Sequence, residues 1–190
     1  ITSAQNQEAI LKWLDKYIIT DVVVTKDVTD MTLQVRILGP KSPEAVNLMF
    51  KIDAAQVQPN QLIETRVGDH KILIARSDYL NETGFDVIAD IAAAETLFCA
   101  SRDSGLRFCG MEACEIARIE DGKPVFRREL SDKYNPLEAG LTDAVSFTKG
   151  CYIGQEVIAR LDSYQKVQRH LVQLRLSGQP LEENKILFQG

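Results

Sequence analysis

Several segments of the chain carry apolar residues three or four positions apart, a spacing that predicts amphipathic helices. The first predicted helix covers residues 3–18. A second begins at Ser42, which stands at the predicted N-cap with Pro43 in the first helical position. Two more helices are predicted over residues 91–105 and 110–122, and each ends at a glycine suited to the left-handed turn that often follows a helix.

Other segments alternate between apolar and polar residues or are rich in β-branched side chains, and these are predicted to be strands. Residues 21–28 and 31–38 are two of them. The segments 61–67 and 71–77 flank the sequence Gly-Asp-His and are predicted to form a hairpin, and residues 84–90 form a further short strand. Because hairpins interrupt the alternation of strands and helices, the pattern favours an α+β fold with mixed or antiparallel sheets and flanking helices.

The chain is rich in loops between residues 122 and 150. The segment 169–178 alternates again and predicts a last strand. A lone strand is not stable, so we expect more strands to follow it in the intact protein. The sequence also lacks an initiator methionine, and we expect it to be a piece of a longer polypeptide.

Composition narrows the possible partners. The formal net charge of the 190 residues is -5, which argues against a nucleic-acid-binding surface over the whole chain. No apolar run approaches the ~20 residues that span a bilayer, and the first residues lack the pattern of a secretory signal. We therefore expect a protein of the bacterial cytoplasm or of an organelle matrix, with neither nucleic acid nor a membrane as its partner.

The four cysteines, Cys99, Cys109, Cys114 and Cys151, are expected to be reduced thiols, because they are few and no export signal is present. Cys109 and Cys114 form a C-x4-C spacing rather than the C-x2-C that is typical of zinc sites. The chain also has only two histidines. We therefore expect no metal site.

Residues 148–160, T-K-G-C-Y-I-G-Q-E-V-I-A-R, place one of these cysteines just before a helix predicted to start near Gly154. Exposed N–H groups and the helix dipole would favour the thiolate of Cys151, and the positive charge of Lys149 would act in the same direction. Gly150 would let the backbone turn tightly beside the thiol. A small core cysteine beside a turn is the other interpretation that the residues allow.

The same motif carries a family resemblance. Its sequence K-G-C-Y-I-G-Q-E resembles the K-G-C-Y-x-G-Q-E signature of the YgfZ family. Those proteins bind tetrahydrofolate and help to assemble or repair iron–sulfur clusters. They share a fold with aminomethyltransferase, the T-protein of the glycine cleavage system, which typically lacks this cysteine. The matching positions beside Cys151 are Lys149, Gly150, Tyr152, Gly154, Gln155 and Glu156.

The resemblance extends over most of the chain. Residues 75–87, 108–124 and 135–141 are similar to three segments of the T-protein. It implies an aminomethyltransferase-like folate-binding fold without its N-terminal part and without most of its C-terminal β-barrel. The implied regions are an α+β folate-binding region at 1–147, the motif loop and helix at 148–168, and the first barrel strand at 169–190.

Position by position, the resemblance implies three folate-site residues. Tyr79 would form a wall of the pterin site by stacking, and Asp86 would accept hydrogen bonds from an aminopyrimidine. Arg118 would bond carbonyl or carboxylate groups of the ligand. The residues alone are equally compatible with half-buried packing for Tyr79, a solvated strand residue at Asp86 and a surface arginine at Arg118.

The chain also departs from the T-protein pattern. Asp78 and Asn81 replace glycines, and Asp86 stands where the T-protein has glutamate. The catalytic aspartate of the family lies in an N-terminal segment that this sequence does not contain. The sequence alone therefore does not decide whether the protein is an enzyme.

Three functions follow from these observations. The first is a tetrahydrofolate-binding accessory factor for iron–sulfur cluster assembly or repair, with Cys151 as its functional thiol and with assembly or client proteins as partners. The second is a folate-dependent aminomethyltransferase of the T-protein type, in which Cys151 is incidental. The third is a ligand-free interaction module. The first two require tetrahydrofolate or a one-carbon derivative as cofactor, and we expect a monomer.

Overall fold

Four antiparallel strands form one sheet in the first part of the chain. In the computed structural model, which describes residues 2, 5–59, 61–164, 167–175 and 177, the sheet has the order β1-β4-β3-β2. All neighbouring strands are antiparallel, and β2 and β3 form the predicted hairpin. This architecture confirms the α+β prediction. The strands are β1 Thr32–Leu38, β2 Leu62–Val67, β3 His70–Arg76 and β4 Gly84–Asp90.

Each of the predicted helices is present, with shifted ends. The segment before α3 is a 3-10 turn, Ile91–Ala93, which starts where the Asp90 side chain accepts a hydrogen bond from the Ala92 N–H. The α-helices are α1 Gln7–Tyr17, α2 Ser42–Phe50, α3 Ala94–Asp103, α4 Met111–Glu120 and α5 Gln155–Ser163.

The start of α2 differs from the prediction. Lys41 occupies the N-cap, and Ser42 is the first residue of the helix. The buried Ser42 hydroxyl donates a hydrogen bond to the carbonyl of Thr83, with 2.7 Å between the oxygens, instead of accepting one from its own helix. A buried hydroxyl needs a partner, and here the loop before β4 supplies it.

The predicted strand over residues 21–28 is wrong. Residues 22–28 form no regular element, and Val22 and Val24 are 103% and 91% exposed. Valine favours a strand only where a neighbouring strand completes the hydrogen bonds and buries one face. No strand within the described part of the chain does this for residues 22–28.

The segment 169–178, predicted as a strand, is not one where the structure describes it. Residues 167–175 and 177 have no regular structure, and residues 176 and 178–190 lie outside the described residues. The Leu171 N–H donates to the carbonyl of Glu138, with an N–O distance of 2.9 Å. The predicted barrel strand at 169–190 therefore gains no support from the described residues.

The buried apolar side chains lie between one face of the sheet and helices α2 and α3. Successive strand residues point to opposite faces, so only alternate positions contribute to this core. Each fully buried side chain stabilises the fold by about 1.5–3 kcal/mol. The core includes Ile37, Val46, Met49, Phe50, Ile72, Ile74, Phe85, Val87 and Leu97.

The chain forms two compact units, Ile1–Cys114 and Glu115–Gly190. The first contains the sheet with α1, α2 and α3, and the second contains most of α4, the loop-rich segment and α5. The three regions inferred from the sequence, with limits at 147 and 168, stay a prediction. Among the described residues, no helix has both the length and the apolar character required to cross a membrane.

Among the glycines that the structure describes, Gly84 has the tightest surroundings. A Cβ at this position would lie 2.5 Å from Cδ2 of Leu38 and 2.6 Å from the backbone oxygen of Ser77. We expect Gly84→Ala to lower the free energy of unfolding by about 1–3 kcal/mol, because the Ser77 backbone must shift to admit the methyl group. Urea unfolding followed by circular dichroism measures this loss.

The matched control is Gly110→Ala, because a Cβ at Gly110 meets no atom within 4 Å and its backbone has no positive φ. We expect this variant to unfold at the wild-type urea concentration. An equally stable Gly84→Ala protein would contradict the close approach of β4 and the loop before it.

Candidate functional site

The central pair of the candidate site is formed by Arg36 of β1 and Asp86 of β4, which lie directly opposite each other in the strand register. Arg36 Nε donates to Asp86 Oδ1 at 2.7 Å, and Arg36 Nη2 donates to Oδ2 at 2.9 Å. The contact is therefore bidentate, which is the strongest geometry for an arginine and a carboxylate. Both side chains stand on the sheet face opposite the apolar core.

Asp86 is a buried carboxylate that stays ionised. Burial is the largest single influence on it and would raise its pKa. Hydrogen bonds from Arg36 and Gln34, the charge of Arg36 and a hydrogen bond from Ser77 together lower the pKa below its ordinary value. The interpretation of Asp86 as a solvated strand residue is thus wrong, because Asp86 is only 6% exposed.

Tyr79 lies against the Arg36 side chain. The guanidinium carbon of Arg36 is 4.6 Å from the centre of the Tyr79 ring, which is within cation–π distance. Tyr79 is half-buried and follows the end of β3. Arg36, Tyr79 and Asp86 therefore form one group of side chains, named the Arg36 cluster below.

A tight turn positions Tyr79. The Glu82 N–H donates to the Tyr79 carbonyl with an N–O distance of 3.2 Å, and the two residues between them, Leu80 and Asn81, have φ angles of 57° and 50°. Two positive φ angles in the centre of a hairpin turn are typical of type I′. Asn81 replaces a glycine of the T-protein pattern, and asparagine tolerates this left-handed conformation well. Leu80 adopts it at a cost of about 1–2 kcal/mol.

Arg118 of α4 belongs to the second unit and is 4% exposed. The interpretation of Arg118 as a surface arginine is therefore wrong. Its guanidinium bonds the Glu115 carboxylate through Nε and Nη2 and the Lys123 carbonyl and Glu129 carboxylate through Nη1. Arg128 contacts the same Glu115 carboxylate. Almost every donor of Arg118 is occupied inside its own unit, and its contact with folate stays a prediction.

Cys151 is a free thiol exposed to solvent. The interpretation of Cys151 as a small core residue is therefore wrong. The helix after it starts where the motif predicts: Gly154 is the N-cap of α5, with a φ of 88° that suits glycine. The Gln155 N–H donates to the Tyr152 carbonyl with an N–O distance of 3.2 Å. Glu156 lies in the first turn of α5.

The rest of the motif supports the backbone around the thiol. The Lys149 ammonium lies 4.7 Å from the centre of the Tyr152 ring, and the Lys149 N–H donates to the Ser146 hydroxyl. Lys149 is therefore directed at an aromatic ring that immediately follows Cys151. Gly150 has open space around its Cα. No group of three or more His, Cys, Asp and Glu residues suited to a metal ion occurs in the described part of the chain.

Arg36 is the residue that sequence reasoning missed. The signal was the alternation of residues 31–38, which turns Gln34 and Arg36 to the face opposite Leu33, Val35 and Ile37. The alternation identified a strand but not its partner. Only the register of β1 against β4 shows that Arg36 lies opposite Asp86.

The depressed pKa of Asp86 predicts a pH dependence. Because the pKa is lower in the folded state, ionised Asp86 stabilises the protein above its unfolded pKa of about 4, and this contribution is lost as the pH falls through the folded value. We expect Asp86→Asn to cost about 1–3 kcal/mol of unfolding free energy at pH 7 and less near pH 3. Urea unfolding at both pH values measures the difference.

Asp103→Asn is the control, because Asp103 pairs with Arg102 at 3.2 Å on an exposed surface. Such pairs contribute little in water, so this variant should match wild type at both pH values. An Asp86→Asn penalty that does not change between pH 7 and pH 3 would contradict an ionised, stabilising Asp86.

Comparison with known proteins shows which family this architecture belongs to. The family model described as the GCVT N-terminal domain matches residues 1–149. A protein named as a chloroplastic transferase in Arabidopsis thaliana is 34% identical over 96% of this chain and 43% of its own length. Aminomethyltransferases of Rippkaea orientalis and Chlorobium phaeobacteroides are 28% and 32% identical over 100% and 90% of this chain.

These two matches cover 52% and 47% of the bacterial proteins, so the chain spans about half the length of the curated relatives it matches. The family match includes all four strands, α1 to α4 and the whole Arg36 cluster. Because the family model covers most of the sequence and agrees with an antiparallel α+β fold, the chain belongs to the GCVT N-terminal domain family.

Proposed function

We propose that this chain is the folate-binding part of a protein that transfers a one-carbon unit on tetrahydrofolate, as an aminomethyltransferase does. Membership of the GCVT N-terminal domain family supports the proposal, as do the relatives named aminomethyltransferase. The observation that carries it is the Arg36 cluster. It combines an aromatic ring, a guanidinium and an ionised carboxylate on one face of the sheet.

These residues fit a reduced pterin chemically. The half-buried ring of Tyr79 offers an aromatic surface for a flat heterocycle, which gains about 1 kcal/mol from such stacking beyond its buried area. The Arg36–Asp86 pair supplies both charged donors and a charged acceptor for the polar edge of the ligand. When tetrahydrofolate is bound, its own nitrogen atoms carry the one-carbon unit, and the chain binds and orients it.

A second function is favoured by Cys151. An exposed free thiol before the first turn of a helix suits a role in iron–sulfur cluster assembly or repair, because a thiolate can engage a cluster, a persulfide or a partner thiol. In this function the chain would also bind folate, and its partners would be assembly or client proteins. A single cysteine is too few to hold a cluster, so the remaining ligands would come from a partner.

The proposed setting is the bacterial cytoplasm or an organelle matrix, and the proposed state is a monomer. The relative from Arabidopsis thaliana is named as chloroplastic, which agrees with the second of these locations. A ligand-free interaction module is the remaining alternative.

The transferase proposal predicts turnover. We expect the full-length protein that contains this chain to transfer the methylene carbon of an aminomethyl group from a lipoyl carrier protein to tetrahydrofolate, with release of ammonia and of the dihydrolipoyl carrier. Cys151→Ser should retain the wild-type rate, since the thiol takes no part in this reaction. Tyr79→Ala should raise the KM for tetrahydrofolate about tenfold by removing the stacking surface.

The control for this experiment is Tyr134→Ala, which removes a tyrosine that is outside the Arg36 cluster and 48% exposed. It should leave the KM for tetrahydrofolate unchanged. Calorimetric titration with tetrahydrofolate accompanies the assay. Binding of tetrahydrofolate without turnover would contradict the transferase function and favour the second function. Absence of binding up to millimolar tetrahydrofolate would contradict both functions.

The thiol function predicts a loss of activity without a loss of stability. In cells that depend on the full-length protein for iron–sulfur enzymes, we expect Cys151→Ala to abolish the rescue of those enzymes. An exposed position should change the free energy of unfolding by no more than about 0.5 kcal/mol. Enzyme activity in extracts and the melting temperature of the purified variant are the two measurements.

Cys109→Ala is the matched control, because Cys109 is also free and exposed. It should rescue as well as wild type. Equal losses of rescue and melting temperature in Cys151→Ala would make Cys151 a structural residue. Full rescue by that variant would remove the thiol from the function.

A further inference from the structure

The two members of the Arg36–Asp86 pair differ in their access to solvent. The Asp86 side chain is 9% exposed and the Arg36 side chain is 36% exposed. The guanidinium therefore offers more accessible surface to a ligand on this face of the sheet than the carboxylate does. The asymmetry makes Arg36 the more accessible member of the pair.

Arg36 has unused donors. A guanidinium carries five N–H groups in a fixed fork. The Nε–H and one Nη2–H are taken by Asp86, so the two N–H groups of Nη1 and one of Nη2 have no hydrogen-bond partner among the described residues. Because the bound edge of the fork faces Asp86, these three donors lie on its other edges.

The edge of the guanidinium that carries unused donors, called the free edge below, is held in a fixed orientation. The bidentate bond to Asp86 fixes the plane of the guanidinium, and the Tyr79 ring supports one of its faces at 4.6 Å. An arginine held in this way loses little conformational entropy when it binds an acceptor. Two parallel donors on one rigid edge match an in-plane oxygen of a flat heterocycle, as arginine matches the oxygen and nitrogen edge of guanine.

We propose that Arg36 is the residue that contacts the ligand, and that it donates from its free edge to the oxo oxygen of the pterin ring. Asp86 keeps that guanidinium in place through its bidentate bond. This inference rests on the proposed folate function and specifies which chemical group of the folate is read.

The test compares two ligands on the full-length protein by calorimetry. One is a reduced folate with its 4-oxo group, and the other is the reduced 4-amino analogue, in which that acceptor becomes a donor. We expect wild type to bind the oxo compound about 10- to 100-fold more tightly, because a donor facing Arg36 is left unpaired. We expect Arg36→Met to bind the two compounds with similar affinity.

Arg66→Met is the control, because Arg66 is an exposed arginine of β2 in the same sheet and lies outside the Arg36 cluster. It should keep the wild-type preference. Arg36→Met leaves Asp86 buried without its cation, so the double variant Arg36→Met/Asp86→Asn removes that charge and serves if the single variant does not fold. The preference should be absent from the double variant as well.

The outcomes distinguish a failure of this inference from a failure of the proposed folate function on which it rests. If wild type binds neither compound, the folate function fails and the role of Arg36 fails with it. If wild type binds both but does not prefer the oxo compound, or if Arg36→Met keeps the preference, only the contact from Arg36 is overturned. A merely structural Arg36 would weaken both ligands equally and would leave their ratio unchanged.

Discussion

The register between β1 and β4 is the constraint on which the rest of the first unit depends. It places Phe85 and Val87 on the core face and Asp86 between them on the opposite face, directly across from Arg36. A slip of one residue would exchange the two faces of β4, so that Asp86 would enter the core and Phe85 would leave it. The same pairing that buries the apolar core therefore assembles the candidate site.

The buried charged side chains of the two units are stabilised by different sets of partners. In the first, one ion pair between strands leaves the guanidinium of Arg36 partly exposed and with donors to spare. In the second, Arg118 is buried and is surrounded by Glu115, Glu129 and a backbone carbonyl that occupy nearly all of its donors. The first arrangement suits contact with a ligand, whereas the second suits the support of a loop-rich segment that has few buried apolar residues.

The sequence predicted the secondary-structure elements better than it predicted which elements and side chains contact each other. Alternation and helical spacing located the four strands and five helices, and the motif around Cys151 placed the start of α5 at Gly154. The same β-propensity failed at residues 22–28, because a strand depends on a neighbouring strand that is often distant in sequence. Asp86 was identified by resemblance, but its bond to Arg36, fifty positions away, could not be read from either segment alone.

The carbonyl of Thr83 links the core to the turn that carries Tyr79. It accepts hydrogen bonds from the Gly39 N–H and from the Ser42 hydroxyl, so both of its lone pairs are used by the loop between β1 and α2. The turn after β3 is thus hydrogen-bonded to the start of a core helix. For a ligand that bound beside Tyr79, these bonds lower the entropy cost of ordering the turn.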